Sequence, residues 1–291
     1  MDSVGSLELG PESTNTTDKA CETVTATRNK SNLKKTFLAC IGCHEYFSLE
    51  MWRAALTELV ATATLMFTLT ASIIACLDSH ELDPKLVVPF IVFIIAFFLL
   101  MVTVPLSGGH MNPTISFIAA LKGVITFARA SIYILAQCIG SIIGFLIIKT
   151  VMSHQIATRY VLGGCAIDSN GRSSGLSPGI ALVLEFSCTF LLLLIGITPA
   201  FDKRSFKELG LAMVCALIAG ALALAVFVSI TITGRAGYAG VGLNPARCLG
   251  SALLQGGPLW DGHWIFWVGP FLACIVYYGV PMNLPREVLV G

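Results

Sequence analysis

The sequence predicts an all-α membrane protein with six transmembrane helices and two re-entrant half-helices in an inverted repeat. Three observations carry the prediction. The 291-residue chain is 55% hydrophobic and only 12% charged, with a mean hydropathy of +0.81, whereas a soluble domain carries about 25% charged residues. Six apolar runs are each long enough to cross a bilayer, at about 20 residues per crossing. Finally, two similar triplets, Asn112-Pro113-Thr114 and Asn244-Pro245-Ala246, open short apolar stretches in chain halves that resemble each other. The net charge of +1 offers no electrostatic footprint for a nucleic-acid partner.

The predicted spans run Met51 to Leu77, Leu86 to Leu106, Phe127 to Met152, Gly179 to Ala200, Leu209 to Thr231 and His263 to Met282. Internal Gly and Pro in some of them are tolerated in membrane helices. Residues 1–50 are polar and rich in Thr, Ser and Asn, without apolar periodicity, and read as a disordered tail. Residues 51–283 read as one channel domain, with repeat halves at about 51–152 and 179–283, and residues 284–291 as a short C-terminal tail. No apolar core with a small-residue cleavage site precedes Met51, so the first span is expected to direct insertion itself.

Each triplet follows a Gly-rich turn, Ser107-Gly108-Gly109-His110-Met111 or Gly240-Val241-Gly242-Leu243. Glycine permits the tight loop, Asn caps a helix, and Pro is best tolerated at its first position. The runs that follow, Ile115 to Lys122 and Arg247 to Gln255, give half-helices of about 15 Å at 1.5 Å per residue. That is half of a hydrocarbon core of about 30 Å. Two of them, entering from opposite sides and meeting N-terminus to N-terminus, would span the bilayer together and frame a pore.

Lys and Arg set the orientation. Lys19, Arg28, Lys30, Lys34, Lys35, Arg53, Lys122, Arg129, Lys203, Arg204, Lys207 and Arg286 collect on the N-terminal side. The opposite face has Lys85, Lys149, Arg159, Arg172 and Arg235. The positive-inside rule then puts both termini in the cytosol and the connector from Ser153 to Pro178 outside.

The repeat extends beyond the triplets. Glu58 in the first span and Glu185 in the fourth each stand four residues before a Thr, Thr62 and Thr189, on the same helical face. Three spans per half invert the second half relative to the first. Ionisable groups inside spans are functional or paired. Glu58 and Glu185 suit either a proton relay or the bracing of re-entrant backbone, whose N–H groups cannot be left bare in lipid. One acid per half favours bracing.

These features resemble the aquaporin, or major intrinsic protein, family. The matching segments are Leu106-Ser107-Gly108-Gly109-His110-Met111-Asn112-Pro113, Gly242-Leu243-Asn244-Pro245-Ala246-Arg247 and His263-Trp264-Ile265-Phe266-Trp267-Val268-Gly269-Pro270-Phe271. The resemblance covers about Met51 to Met282. Thr114, Cys248 and the longer approach loop Gly234-Arg235-Ala236-Gly237-Tyr238-Ala239 make the chain most similar to the plant X intrinsic proteins.

The resemblance implies one pore per protomer, a homotetramer, and Asn112 and Asn244 presenting amide N–H groups at the pore midplane. Both residues also suit simple capping. The half-helix N-termini, each carrying about +0.5 charge, oppose cations there. Arg247 is assigned to the constriction, where a permanent charge at membrane depth must line water or be paired. Register with the family adds Val92, Val226 and Val241 to the filter, where water-selective relatives place a bulky aromatic and a His on the second and fifth helices. Valines here widen the aperture and make one wall apolar. Such a filter suits small uncharged solutes of the glycerol, urea, hydrogen peroxide or boric acid type, with some water permeability. The alternatives are a predominantly water-selective channel and, more remotely, an ion-coupled transporter. No nucleophile–base pair or metal cluster points to an enzyme or a cofactor.

The chain has ten cysteines. Cys40-Ile41-Gly42-Cys43-His44 has a C-x-x-C spacing but lacks the further ligands that zinc needs. Cys248, beside the filter Arg at a half-helix N-terminus, is the candidate site for thiol reagents, because the positive dipole end stabilises thiolate. Cys165 in the outer connector is a candidate bridge between neighbouring subunits. His110 is expected to brace its loop, and Trp52, Trp260, Trp264 and Trp267 to anchor helix ends at the interface. The partners are therefore the lipid bilayer, water and small neutral solutes. The expected location is the plasma membrane rather than an internal one.

Overall fold

A computed structural model of the chain describes residues 42–79, 83–167, 176–233 and 241–280. Most of the predicted N-terminal tail, the C-terminal tail and the approach loop Gly234 to Ala239 lie outside them. Among the described residues six helices are long and apolar enough to cross a membrane. The architecture is all-helical, with six spans and two half-helices.

The first half comprises α1 (Leu49–Asp78), α2 (Pro84–Ser107), the half-helix α3 (Pro113–Leu121) and α4 (Phe127–Val151). A short helix, α5 (His154–Arg159), lies in the connector. The second half comprises α6 (Pro178–Leu192), α7 (Lys203–Thr233), the half-helix α8 (Pro245–Gln255) and α9 (Ile265–Gly279). The starts follow capping chemistry. Ser48, Asp83, Asn112, Thr126, Ser177 and Asn244 each accept a backbone N–H from the first turn of α1, α2, α3, α4, α6 and α8. Pro stands at the first helical position of α2, α3, α6 and α8, where its missing N–H is harmless.

The described residues include the end of the predicted tail, residues 42–50. A 3-10 turn covers Cys43–Phe47. The Arg129 guanidinium bonds the Glu45 carboxylate at 2.5 Å, and the Trp52 indole N–H donates to the Tyr46 carbonyl at 2.9 Å. These polar anchors are long-range or side-chain contacts that apolar periodicity does not register.

Two further departures are local. After α6 the chain passes through a π-turn at Leu193–Ile197 before a last turn at Thr198–Phe201. Pro199 has no N–H, and the Thr198 N–H reaches back five residues to the Leu193 carbonyl. Helix α7 breaks at Gly210, whose φ of 73° is left-handed. The break thus falls about two turns after Lys203, near the predicted start of the span at Leu209.

Small residues set the helix spacing, as is usual between membrane helices. A Cβ on Gly140 would fall 2.3 Å from the Leu59 carbonyl oxygen, and one on Gly144 2.5 Å from that of Ala63. This pair brings α4 against α1. Gly250 seats α8 on α4, because a Cβ there would fall 2.3 Å from Ser141 Oγ. Gly269 seats α9 on α6, where its Cβ would fall 2.8 Å from Glu185 Cβ. The first half-helix packs against both α4 and α9, and α2 packs against α7. Each half-helix is therefore held by helices, including one from the opposite repeat, and its N-terminus is aimed at the interior.

Candidate functional site: a pore between the two half-helices

The residue before each triplet is forced into left-handed backbone: Met111 has φ 48° and Leu243 has φ 56°. Neither is glycine, and such a conformation costs roughly 1–2 kcal/mol for an L-residue. It turns each carbonyl toward the opposite half. The Asn112 amide Nδ2 donates to the Leu243 carbonyl at 2.9 Å, and the Asn244 amide Nδ2 donates to the Met111 carbonyl at 2.8 Å. The Asn oxygens meanwhile cap their own helices, with Asn112 Oδ1 accepting from Thr114 N at 2.9 Å and Asn244 Oδ1 from Ala246 N at 3.1 Å and Arg247 N at 3.4 Å. An amide carries two N–H bonds, and one of each is committed to this reciprocal clasp. Capping and pore-lining are compatible roles for these residues. Here Asn112 and Asn244 do the first and also border the cavity described below.

Each loop hangs from the carboxylate of its own half. Glu58 Oε1 accepts from His110 N at 2.9 Å and Oε2 from Met111 N at 2.6 Å. Glu185 Oε1 accepts from Gly242 N at 2.5 Å and Oε2 from Leu243 N at 3.1 Å. Both acids are fully buried, so these bonds satisfy donors that lipid would leave bare. Glu58 also accepts from Ser107 Oγ at 2.6 Å and Gln137 Nε2 at 2.8 Å. The His110 ring joins this network through Ser116 Oγ at 3.0 Å, a bracing position. Neither Gln137 nor Ser116 was singled out in the sequence, because both are mid-helix polar residues whose partners lie on other elements.

A cavity of about 260 Å³ is lined by residues of both halves. Phe201 and Phe206, Asn112 and Asn244, and Val92, Val226, Val241 and Arg247 all border it, and the three valines pack in one cluster. Leu65, Met66, Leu69 and Ile73 add an α1 wall that triplet and register arguments did not reach. In the turn between α6 and α7, Asp202 accepts from Ser205 Oγ at 2.6 Å and Ser205 N at 3.0 Å, which holds its carboxyl below the usual range. Pro113, Thr114, Pro245 and Ala246 are buried as the first turns of their half-helices.

Arg247 is only 4% exposed. Its Nη2 donates to the Gly163 carbonyl at 2.9 Å and its Nη1 to Cys165 Sγ at 3.2 Å. Both partners come from the connector between α4 and α6. Val241, three-residue neighbour to Asn244, is fixed by its N–H donating to Ser229 Oγ at 3.1 Å.

One expectation is overturned. Cys248 is not a free thiol: it forms a disulfide with Cys165, across 83 residues of sequence. Its sulfur has no thiolate to offer a mercurial, so it is not the thiol-reagent site. The same bond removes Cys165 as a bridge between subunits. The other described cysteines, Cys43, Cys76, Cys138, Cys188, Cys215 and Cys274, are free, and all but Cys43 and Cys138 are buried. Among the described residues no group of His, Cys, Asp or Glu could hold a metal ion.

Comparisons with known proteins agree with this fold. The major intrinsic protein family profile matches residues 45–277. Aquaporin PIP2-7 of Musa acuminata is 34% identical over 238 residues, covering 78% of this chain and 80% of that one. Probable aquaporin PIP2-5 of Arabidopsis thaliana is 34% identical over 239 residues, covering 77% and 78%. The X-ray structure of the aquaglyceroporin from Plasmodium falciparum superposes with a TM-score of 0.64 at 20% identity, covering 79% of this chain and 94% of that one; at that identity the likeness concerns the fold.

Proposed function

The chain belongs to the major intrinsic protein (aquaporin) family of integral membrane channels, and we propose that it passes small uncharged solutes of the glycerol and urea type together with some water, while excluding ions and protons. The observation that carries this reading is the cavity lining, in which the clustered valines Val92, Val226 and Val241 stand together with Arg247. Three aliphatic side chains give an alkyl solute a wall to slide along, and one guanidinium gives its hydroxyls or amide oxygen a donor. Ions are opposed by the full charge of Arg247 and by the two half-helix dipoles directed at the midplane. Hydrogen peroxide and boric acid fall in the same size and polarity class.

A second reading, a predominantly water-selective pore, is favoured by the aquaporin names of the plant relatives. Stopped-flow swelling of proteoliposomes under water, glycerol and urea gradients separates the two. On the solute reading, Val226→His combined with Val92→Phe lowers glycerol and urea flux about tenfold more than water flux, since one lost complementary contact of about 1.4 kcal/mol is worth a factor of ten. Fast water flux with no solute flux above background would leave the water reading standing.

Within the family, Thr114, Cys248 and the lengthened loop before Val241 support placement near the X intrinsic proteins. The remaining parts of the proposal are a homotetramer in the plasma membrane with both termini cytosolic. The Lys and Arg asymmetry supports that orientation.

A further inference from the structure

The outer connector touches the filter at three points, and the disulfide joins them. The Gly163 carbonyl accepts from Arg247 Nη2 at 2.9 Å, and Cys165 Sγ accepts from Nη1 at 3.2 Å. Cys248 is the residue next to Arg247, so the disulfide ties the connector to the turn that carries the guanidinium. On its other side the bond presses on the loop that carries Val241. A Cβ on Gly242 would fall 2.6 Å from Cys248 Sγ and 3.4 Å from Cys165 Sγ. The connector has no slack here, because a Cβ on Gly164 would meet Leu259 at 2.7 Å and Ser251 Oγ at 2.9 Å. Both sulfurs are buried, Cys165 at 3% and Cys248 at 1% exposure.

From this arrangement we infer that the Cys165–Cys248 disulfide determines specificity by positioning Arg247, holding its guanidinium back against the connector and so setting the width of the aperture. The inference rests on the reading of Arg247 as a filter residue. Without the bond, Arg247 still meets the connector through two hydrogen bonds, but these come from a long, flexible side chain. The Cys165 sulfur is then no longer tied to the turn that carries Arg247, the two bonds to the connector loosen, and the guanidinium turns toward water in the lumen. An intruding guanidinium obstructs a three-carbon solute more than it obstructs water. The positions of the two cysteines also fit the expected orientation, since a connector outside the cell faces an environment in which disulfides persist.

The test uses full-length protein in proteoliposomes, with maleimide labelling before and after denaturation to establish the state of Cys165 and Cys248. Cys165→Ser, Cys248→Ser and the double variant should each lower the glycerol-to-water permeability ratio at least threefold and by the same amount, as one bond is lost in all three. Reducing the assembled wild type with a membrane-permeant phosphine should lower it equally, which keeps the test available if a Ser variant does not assemble. In an Arg247→Val background the same cysteine substitutions should change nothing further, an outcome that a merely structural brace would not produce. Free thiols at both positions in the native protein, or an unchanged ratio after the bond is opened, overturns the inference. So does an effect of the same size in the Arg247→Val background. If Arg247→Val by itself leaves the ratio unchanged, it is the filter reading that fails; if it shifts the ratio and opening the disulfide does not, only the positioning role fails.

Discussion

The two re-entrant loops share a backbone solution and differ in how it is secured. Both place a non-glycine residue at positive φ, Met111 or Leu243, both follow it with an Asn that clasps the opposite loop, and both hang from a buried Glu. The first loop is then secured by polar side chains alone: Ser107, Gln137, Ser116 and His110 gather around Glu58 in a buried network. The second has a covalent tie, Cys165–Cys248, and a packed connector above it. The symmetric parts are those any re-entrant half-helix needs, because its backbone donors must be satisfied inside the membrane. The asymmetric parts stand where the two loops face different surroundings. The second carries Arg247 and faces the connector between α4 and α6; the first faces the polar network around Glu58.

The largest expected effect breaks that comparison at the carboxylates. Glu58→Ala strips four donors of their acceptor at once, and each orphaned buried donor costs about 1–3 kcal/mol. We expect little or no assembled channel from Glu58→Ala. Glu185→Ala should retain a detectable fraction, since the disulfide still holds the second loop. Denaturation midpoints in detergent check the ranking. Glu185→Ala in a Cys248→Ser background should fall to the level of Glu58→Ala, and equal stability with and without the disulfide would show that the covalent tie does not share the load.

Seating of the half-helices gives an intermediate effect. Gly250 lets α8 approach α4, whereas α3 contains no glycine between Pro113 and Leu121. Gly250→Ala drives a Cβ into Ser141 and should cost about 1–3 kcal/mol, the usual range for overpacking. Gly220 has open space around its Cβ position, and Gly220→Ala should be neutral or stabilise α7 by up to about 1 kcal/mol through helix propensity. Thermal unfolding of the two variants should therefore move in opposite directions or, at the least, far apart.

The smallest effect probes the symmetric clasp. Asn112→Ala and Asn244→Ala each remove one cap, worth about 1 kcal/mol, and one cross-loop bond. The two variants should lose similar stability, within about 0.5 kcal/mol, and both should lose water flux. A much larger loss for Asn112 would mean that the disulfide compensates for Asn244, making the clasp itself asymmetric in energy.

Much of this protein was legible in its sequence because the membrane makes local chemistry decisive. Apolar runs of about 20 residues can do little else than span. An Asn-Pro after a glycine turn starts a helix wherever it occurs, and a run half the span length must re-enter. The six spans, both half-helices, the paired acids and the lining positions Val92, Val226, Val241 and Arg247 all follow from periodicity, spacing or family register. What tertiary structure alone decided are relations between elements distant in sequence. The exchange of Asn amides between Met111 and Leu243 spans more than a hundred residues. Gln137 and Ser116 became part of the Glu58 network only once α3 and α4 were packed, and the π-turn before Pro199 fits where Gly196 meets α7. Cys248 read as a reactive thiol because its half-helix N-terminus is a property of the local chain. Its real chemistry was set by Cys165, 83 residues earlier, and the pairing of two sulfurs depends on a distance in space that no spacing in the sequence encodes.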